Sequence, residues 1–346
     1  MLKSRPTMVA IALTLLAAGV LYPSNGKDRL TVTQRRPAAL ICQDPYGTIC
    51  KNKAHRSDPT GVVLSDEVEE AITRKIYQEI KKSHPEWSDE QVTEGFIKRI
   101  YTQKKRKKMN KVFKWVRSAI ETYIENLPDK LITVTEKREL TTRVRKVKLE
   151  LPPPASVYSD AMDLFTKNDV YYERLINGDM RLRVGGAYLA TGKSWFNMVF
   201  TFAHELGHSI DPCEIRSARH SFPAYDRLTA CFLKDGLIAT RETRSECGHN
   251  DQLSETFADW IAVKITAQAL EKFGASFSQK ELEKSAANSV RDLCEEDEEE
   301  LLKTDTEHHP SPRLRINKIF ADNPKIMEIL GCQVTGNENY CDFEIR

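Results

Sequence analysis

The sequence has no excess of charge of either sign. In 346 residues, 52 Lys and Arg balance 50 Asp and Glu, which leaves a formal net charge of +2. This balance gives no reason to expect nucleic-acid binding by the chain as a whole. Internal repeats are also lacking, and the only low-complexity tracts are one basic and one acidic run. The hydrophobic content of 40% argues against global disorder, and the length allows one large domain or two modest ones.

Long apolar runs are missing as well, with one exception at the N-terminus. Lys3 and Arg5 precede a 15-residue apolar run from Met8 to Tyr22. That run is short for a membrane span, which takes about 20 residues, and the small residues Ala17–Gly19 offer a cleavage site. We therefore predict a signal peptide over residues 1–22 and a secreted or periplasmic protein. The alternative is an uncleaved N-terminal membrane anchor.

Cysteine is not scarce, since the chain has eight, an even number. In an exported protein these residues favour disulfides over a thiolate metal site, although a chain of this length does not need disulfides in order to fold. The close pair Cys42 and Cys50 predicts a local disulfide within an extended lead-in, residues 23–62. A second group is expected to form disulfides that pin a long loop: Cys213, Cys231 and Cys247.

Helical patterns fill residues 63–150. A capping box from Ser88 to Gln91 opens one helix, and two further helices are predicted over Lys111–Ile124 and Thr135–Lys146. The prolines of Leu151–Pro154 cannot continue a helix, so we place a boundary there.

Beyond that boundary the pattern changes. Met180–Ala190 alternates loosely between apolar and polar residues, and two glycines interrupt it. It is predicted to be a strand weakened by those glycines.

One helical stretch carries charge of a single sign. Residues 98–117 contain ten basic residues and no acid. Two interpretations remain open: a solvated helix face, or a patch that contacts a polyanion or a membrane surface. An acidic run over residues 292–300 offers the opposite charge within the chain, and pairing of the two runs would explain the balanced total. No specific nucleic-acid partner is predicted.

The segment Ser194–Asp211, SWFNMVFTFAHELGHSID, carries the clearest chemistry. Ser194 can cap a helix that is apolar on nearly every side, which is typical of a buried helix. His204 and His208 stand four residues apart, so both project from one face and can bind a single Zn²⁺. Glu205 stands beside them, where its carboxylate can take a proton from water. The pattern predicts a zinc site with Glu205 as the general base.

A catalytic zinc site needs a third protein ligand. The metzincin pattern is excluded, because position 211 is Asp rather than Gly and position 214 is Glu rather than His. A second apolar helical pattern, Leu253–Val263, holds two acids on one face, Glu255 and Asp259. We predict Glu255 as the third ligand and Asp259 as the acceptor for the free ring N–H of a ligating histidine. Glu214 is the alternative third ligand.

These motifs resemble the neprilysin family of zinc metalloendopeptidases. The family's third ligand lies in an E-x-x-A-D motif, which Glu255–Asp259 reproduces, and Asp211 matches an aspartate three residues after the second histidine. His309–Ile316 resembles the family's H-x(5)-R-[IV] segment. The resemblance covers about residues 184–341, in which Gly185–Tyr188 stands where the family has its substrate-edge strand.

The resemblance implies a fold and a mechanism. The expected fold class is α+β and mainly helical, with a thermolysin/neprilysin-like zincin catalytic domain over residues 151–346 and an N-terminal helical region before it. The implied activity is hydrolysis of peptide bonds in a peptide or protein substrate, with Zn²⁺ as the cofactor. By position, His309 would stabilise the tetrahedral intermediate and Arg315 would bind a substrate carbonyl. His308 is the alternative to His309, and Arg313 is the alternative to Arg315. Tyr225 is a further candidate that would stabilise the oxyanion together with His309.

Two other hypotheses remain open. In one, a catalytically weak or inactive peptidase-like zinc protein binds a polyanionic surface through its basic helices. In the other, a latent peptidase is blocked by its N-terminal helices until the residues before about Pro152 are removed. His220 and His249 lie between the two zinc helices, and we expect both to be exposed and without function.

Overall fold

The architecture is taken from a computed structural model, which describes residues 40–51, 66–152, 169–191, 193–217, 222–238, 252–294, 309–333 and 340–343. All of these residues belong to one unit, Ala38–Arg346. The predicted signal peptide, residues 1–22, lies outside the described residues, as does most of the predicted lead-in. Among the described helices, none combines the length and the apolar composition that a membrane crossing requires.

Helices dominate the described residues, and one small sheet accompanies them, so the predicted mainly helical α+β class is confirmed. The elements of the first half are α1 (Leu40–Gln43), a π-helical turn (Gly47–Lys51), α2 (Asp66–Ser83), α3 (Asp89–Ile100), α4 (Gln103–Asn126), α5 (Val134–Lys146), β1 (Lys148–Glu150), β2 (Val170–Arg174) and β3 (Met180–Val184). The second half continues with α6 (Gly186–Ala190), α7 (Trp195–Gly207), a 3-10 turn (His208–Ile210), α8 (Pro212–Ser217), α9 (Pro223–Lys234), α10 (Gln252–Gly274), α11 (Gln279–Ser289), a 3-10 turn (Arg291–Cys294), α12 (Pro312–Leu314), a π-helical segment (Arg315–Ala321) and α13 (Pro324–Ile329).

Local capping explains where the N-terminal helices begin. The predicted capping box of α3 is confirmed, since Ser88 Oγ accepts the N–H of Gln91 and the Gln91 side chain accepts the N–H of Ser88. α4 begins about two turns earlier than predicted, because Thr102 Oγ1 accepts the N–H of Lys105 and so caps the helix. α5 begins one residue earlier than predicted.

The three strands form one sheet in the order β1-β3-β2. β1 runs parallel to β3, whereas β2 and β3 form an antiparallel hairpin in which Tyr172 lies opposite Leu182. Gly178 adopts a φ of +83° in the hairpin turn, a conformation that favours glycine. Within this sheet β2 is an edge strand, and the side facing away from β3 is turned toward α7.

The predicted strand over Met180–Ala190 is wrong beyond Val184. Gly185 is the N-cap of α6, and the N–H of Leu189 donates to Gly185 O across a helical turn. The residues of this short helix, including Tyr188, are mostly buried. The apolar positions that suggested a strand therefore belong to two elements, and the glycines mark the junction between them.

The two helices with the proposed chemistry, α7 and α10, cross closely at the centre of the molecule. A Cβ atom on Gly207 would lie only 3.1 Å from Ala258 Cα, so the absence of a side chain at Gly207 permits this approach. α4 packs on another side of α7, where the rings of Phe113 and Phe202 meet edge-to-face at 6.4 Å. The N-terminal helices and the site helices therefore share one hydrophobic core, and the predicted boundary at Leu151 falls within one unit.

Among the described residues, three disulfides join distant parts of the chain: Cys42–Cys332, Cys50–Cys294 and Cys231–Cys341. The predicted local Cys42–Cys50 bridge is wrong, because each cysteine lies in a different turn of the N-terminal segment and reaches a different C-terminal partner. Cys231 lies between the two zinc helices and is disulfide-bonded, as predicted, but its bridge ties that connection to Cys341 near the C-terminus. Cys213 is disulfide-bonded as well, whereas Cys247, His220 and His249 lie outside the described residues.

Candidate metal centre

The first two candidate ligands project from the end of α7. Ser194 Oγ accepts the N–H of Asn197 at 3.1 Å and starts the helix as predicted. The apolar side chains that follow bury the helix, so its polar residues near the C-terminus are carried into the core. His204 lies in the last turn of α7, and His208 is the first residue after it, still in a right-handed helical conformation. Both rings therefore face the same side, as the spacing predicted.

The atoms of the ligand cluster, which we define as His204, His208 and Glu255, converge on one point. The Nε2 atoms of the two histidines are 3.3 Å apart. The Glu255 carboxylate lies 3.1 Å from His204 Nε2 through Oε2 and 3.6 Å from His208 Nε2 through Oε1. These separations match those between ligand atoms on a tetrahedral zinc ion, about 3.3 Å for bonds of about 2.0–2.1 Å.

The hydrogen bonding of the ligand cluster also fits a cation. Glu255 Oε2 is buried and has no partner in hydrogen-bond geometry, although Nε2 of His204 lies 3.1 Å away and Nε2 of His309 lies 3.0 Å away. When a cation binds, His204 would be neutral and, because its Nδ1 donates to Asp259, it would offer the lone pair of Nε2 to the cation. Two imidazole nitrogens and a carboxylate form a donor set that suits Zn²⁺.

A second layer of side chains orients both histidines. His204 Nδ1 lies 2.9 Å from Asp259 Oδ1, as predicted for Asp259. His208 Nδ1 lies 3.0 Å from Ser254 Oγ and 3.3 Å from Asp211 Oδ2, and the Ser254 hydroxyl donates to Asp211 at 2.5 Å. Each Nδ1 is therefore used as a donor, which leaves each Nε2 for the ligand cluster.

Arg315 reaches the site from behind Asp259. Its Nε and Nη2 donate to the two oxygens of Asp259 at 2.6 and 3.0 Å, and its side chain is buried. Arg315 thus neutralises the carboxylate that orients His204. The alternative, Arg313, lies elsewhere, with its guanidinium 5.0 Å from the centre of the Tyr46 ring.

Glu205 lies beside the ligand cluster and is held by the edge strand. Its Oε1 is 3.9 Å from His204 Nε2, and its Oε2 accepts the N–H of Tyr172 from β2 at 2.7 Å. Burial raises the pKa of Glu205 above its usual value, and the positive histidines only partly oppose this effect. A raised pKa suits a carboxylate that must accept and then release a proton.

The ionisation of the ligand cluster is strongly coupled to its geometry. Burial alone would lower the pKa of His208, but the charge of Glu255 and the hydrogen bond with Asp211 outweigh it and raise the pKa to about 9. Burial would raise the pKa of Glu255, yet the neighbouring histidines hold it well below its usual range. The cluster therefore favours a negative carboxylate surrounded by positive charge, the same balance that a divalent cation would supply.

His309 stands at the more open side of the ligand cluster. Its Nε2 lies 3.0 Å from Glu255 Oε2, and its side chain is 34% exposed, compared with 9% for His204. The structure therefore brings His309 to the site, as the resemblance implied. His308 lies outside the described residues.

Three expectations for the site are wrong. Tyr225 donates its hydroxyl to Ile210 O at 2.7 Å and is buried away from the ligand cluster. Glu214 is not a third ligand, because its Oε1 pairs with Arg174 at 2.6 Å and with Arg143 at 3.2 Å. The segment from Gly185 is not the edge strand, since it forms α6; the edge strand next to the site is β2.

Sequence reasoning also missed two contributors. The hydroxyl of Ser254 and the backbone N–H of Tyr172 carry no motif of their own, and only the adjacency of Ser254 to Glu255 pointed toward the site. A further grouping, Cys231, Asp235 and Cys341, has metal-like spacing, but its two sulfurs are bonded to each other and offer no thiolate.

No protein-family model matches the chain, and no curated protein matches its sequence.

Proposed function

We propose that the chain is an exported zinc-dependent peptidase with a neprilysin-like catalytic site and a thermolysin-like arrangement of residues 151–346. The observation that carries the proposal is the convergence of His204, His208 and Glu255 on one point, next to the buried carboxylate of Glu205. A purely structural zinc site would not need Glu205. The disulfides described above are in keeping with export, because such bonds persist in oxidising compartments.

The residues divide the work as follows. When bound, zinc would supply Lewis acidity to the scissile carbonyl and would lower the pKa of water. Glu205 takes the proton of the attacking water on its carboxylate and passes it to the leaving nitrogen. The N–H of Tyr172 holds that carboxylate in position during both transfers.

The remaining groups stabilise charge and orient ligands. His309 donates from Nε2 to the oxygen that becomes negative as the carbonyl is attacked. Arg315 acts through Asp259, which holds His204 in the tautomer that can bind metal. The edge of β2 that passes Glu205 offers a place for an extended peptide backbone to lie.

Metal analysis of four proteins tests the proposal: wild type, Glu205→Gln, Glu255→Gln and the control Glu214→Gln. We expect about one zinc per chain in the wild type, in Glu205→Gln and in the control, and a large loss of zinc in Glu255→Gln. A peptide-library digest with the same samples should show hydrolysis by wild type and control. The Glu205→Gln variant should be slower by about 10²–10⁴-fold.

Two results would contradict the proposal. A wild-type protein without zinc would contradict the assignment of zinc as the cofactor. Full hydrolysis by Glu205→Gln would contradict the assignment of Glu205 as the general base. Zinc without any hydrolysis would instead favour the inactive, surface-binding alternative.

A further inference from the structure

One side of α4 presents five lysines and no acid. We define the basic stripe as Lys104, Lys107, Lys108, Lys111 and Lys114. All five are exposed, and steps of three and four residues place them on one side of the helix. The opposite side of α4 is buried through residues such as Met109, Val112 and Val116. Packing of that apolar side therefore fixes the direction in which the basic stripe points.

The basic stripe has no compensating acids in the part of the chain that the structure describes. Like charges three and four residues apart repel one another, and no described carboxylate lies within ion-pair distance of the five lysines. Other basic residues on the N-terminal helices are paired, for example Arg99 with Glu79 at 3.1 Å and Arg145 with Glu121 at 2.8 Å. The basic stripe is thus a concentrated positive field that favours an anionic partner.

An aromatic patch adjoins the basic stripe. Trp115 follows Lys111 by one helical turn and contacts Trp195 and Phe273, with ring centres 6.4 and 5.3 Å apart. Phe273 and Phe277 are 38% and 36% exposed, among the most exposed large apolar residues described. Lysines flank the patch, since Lys111 lies 5.9 Å from the Trp195 ring centre. The lysines therefore lie beside an aromatic patch in which Trp115 and Trp195 are half-buried and Phe273 is exposed.

This combination fits a lipid surface better than a nucleic acid. The three rings of Trp115, Trp195 and Phe273 pack edge-to-face or tilted against each other, so they do not offer free parallel faces for base stacking. Long lysine side chains can reach headgroup phosphates while their stems lie along apolar surface. Aromatic side chains are enriched at the boundary between headgroups and acyl chains.

The surface lies far from the candidate metal centre. Trp195 precedes His204 by nine residues along α7, and Phe273 follows Glu255 by eighteen along α10. These intervals correspond to about 14 and 27 Å of helix. A protein that rests on this surface would keep the ligand cluster away from it.

We propose that the basic stripe and the adjoining aromatic patch dock the protein on a bilayer containing anionic phospholipid. The proposal is independent of peptidase activity and concerns a different surface.

Vesicle co-sedimentation of the full chain tests this docking surface. The measured quantity is the ratio of binding to vesicles with phosphatidylglycerol over binding to vesicles of phosphatidylcholine alone. The apolar run near the N-terminus is present in every variant, so it affects both terms of the ratio.

The test variant keeps Lys108, whose Nζ donates to Lys193 O. It changes the other four lysines of the stripe: Lys104→Gln, Lys107→Gln, Lys111→Gln and Lys114→Gln. A matched control removes the same charge elsewhere on exposed positions of the N-terminal helical region: Lys75→Gln, Lys82→Gln, Lys130→Gln and Lys146→Gln.

We expect the ratio to fall by about 100-fold or more in the test variant, because each lysine near an anionic surface contributes about fivefold. The control should stay within about threefold of wild type, and added salt should weaken wild-type binding. Phe277→Ser should reduce binding further than Val134→Ser, an exposed apolar position on α5.

Several outcomes would overturn the proposal. Equal losses in test and control variants would indicate net charge rather than this surface. Preference for duplex DNA over vesicles would indicate a nucleic-acid partner. Vesicle binding that appears only after neutralisation of the acidic run 295–300 would make that run the occupant of the stripe.

Discussion

The ligand cluster and the basic stripe differ in whether their charged side chains have partners of opposite charge. In the ligand cluster and its surroundings, each charged group lies against a partner: Glu255 against two histidines, and Asp259 between His204 and Arg315. In the basic stripe, five lysines face solvent without a described acid. Burial explains the difference, because a buried charge is costly unless it is paired, whereas an exposed charge is stabilised by water. The charges of the ligand cluster therefore support the structure, whereas the charges of the basic stripe are available to a partner.

The strongest way to break the comparison is to remove a buried partner. Asp259→Ala would leave Arg315 buried without its carboxylate and His204 without its acceptor. We expect a loss of about 3–5 kcal/mol in the free energy of unfolding, measured by urea denaturation with a chelator present. The control is Asp179→Ala in the β2–β3 turn, a half-exposed acid that lies near Lys148 and Arg181 at the surface. A loss below about 1 kcal/mol in Asp259→Ala would show that the buried pair is not required.

The close crossing of α7 and α10 can be disturbed next. Gly207→Ala would place a Cβ 3.1 Å from the Ala258 backbone, so the helices must separate by a few tenths of an ångström. We expect a loss of about 1–3 kcal/mol in the free energy of unfolding, together with weaker zinc binding because Glu255 moves away from the histidines. An unchanged or increased stability would contradict this role for Gly207.

The layer behind His208 can be tested separately. Ser254→Ala removes the hydroxyl that links His208 Nδ1 to Asp211, and we expect zinc affinity to fall by about 10–100-fold in a chelator competition assay. Ser209→Ala is the matched control, because Ser209 is equally buried but donates to Leu206 O instead. Similar losses in both variants would assign the effect to general packing.

The smallest effect is expected at the basic stripe. The fourfold Lys→Gln variant of the docking test should change the free energy of unfolding by no more than about 0.5 kcal/mol, with a small gain if relief of repulsion dominates. Thermal unfolding at low salt measures it. A large loss of stability would mean that these lysines support the fold, and the contrast between the two regions would disappear.

Much of the candidate site was predictable because its spacing is local. His204 and His208 share a face through helical periodicity alone, and Glu255 and Asp259 do so on a second helix. Both segments are so apolar that their few charged side chains are expected to be buried, and a buried charge needs a partner or a bound cation. The contribution of Tyr172 was not predictable, since it comes from a backbone N–H that every residue except proline possesses.

Other features depended on long-range packing. The pairing of Cys42 with Cys332 spans 290 residues, and no local pattern distinguishes it from the other possible pairings. Tyr225 and Glu214 were reasonable candidates by type and position, but the fold directs one hydroxyl to a backbone carbonyl and one carboxylate to two arginines. The strand expected over Met180–Ala190 ended early because Gly185 caps a helix.

By itself the sequence determined the mainly helical class, the capping of α3 and α7, and the identity of the polar residues that two apolar helices carry. These properties follow from periodicity and from hydrogen bonds between residues a few positions apart. Only the tertiary structure decided that the two helices meet at Gly207, that Arg315 pairs with Asp259, and that the five lysines of the basic stripe face solvent without an acid among the described residues. Such choices depend on which distant groups can satisfy buried charge and fill the core together, and no single segment contains that information.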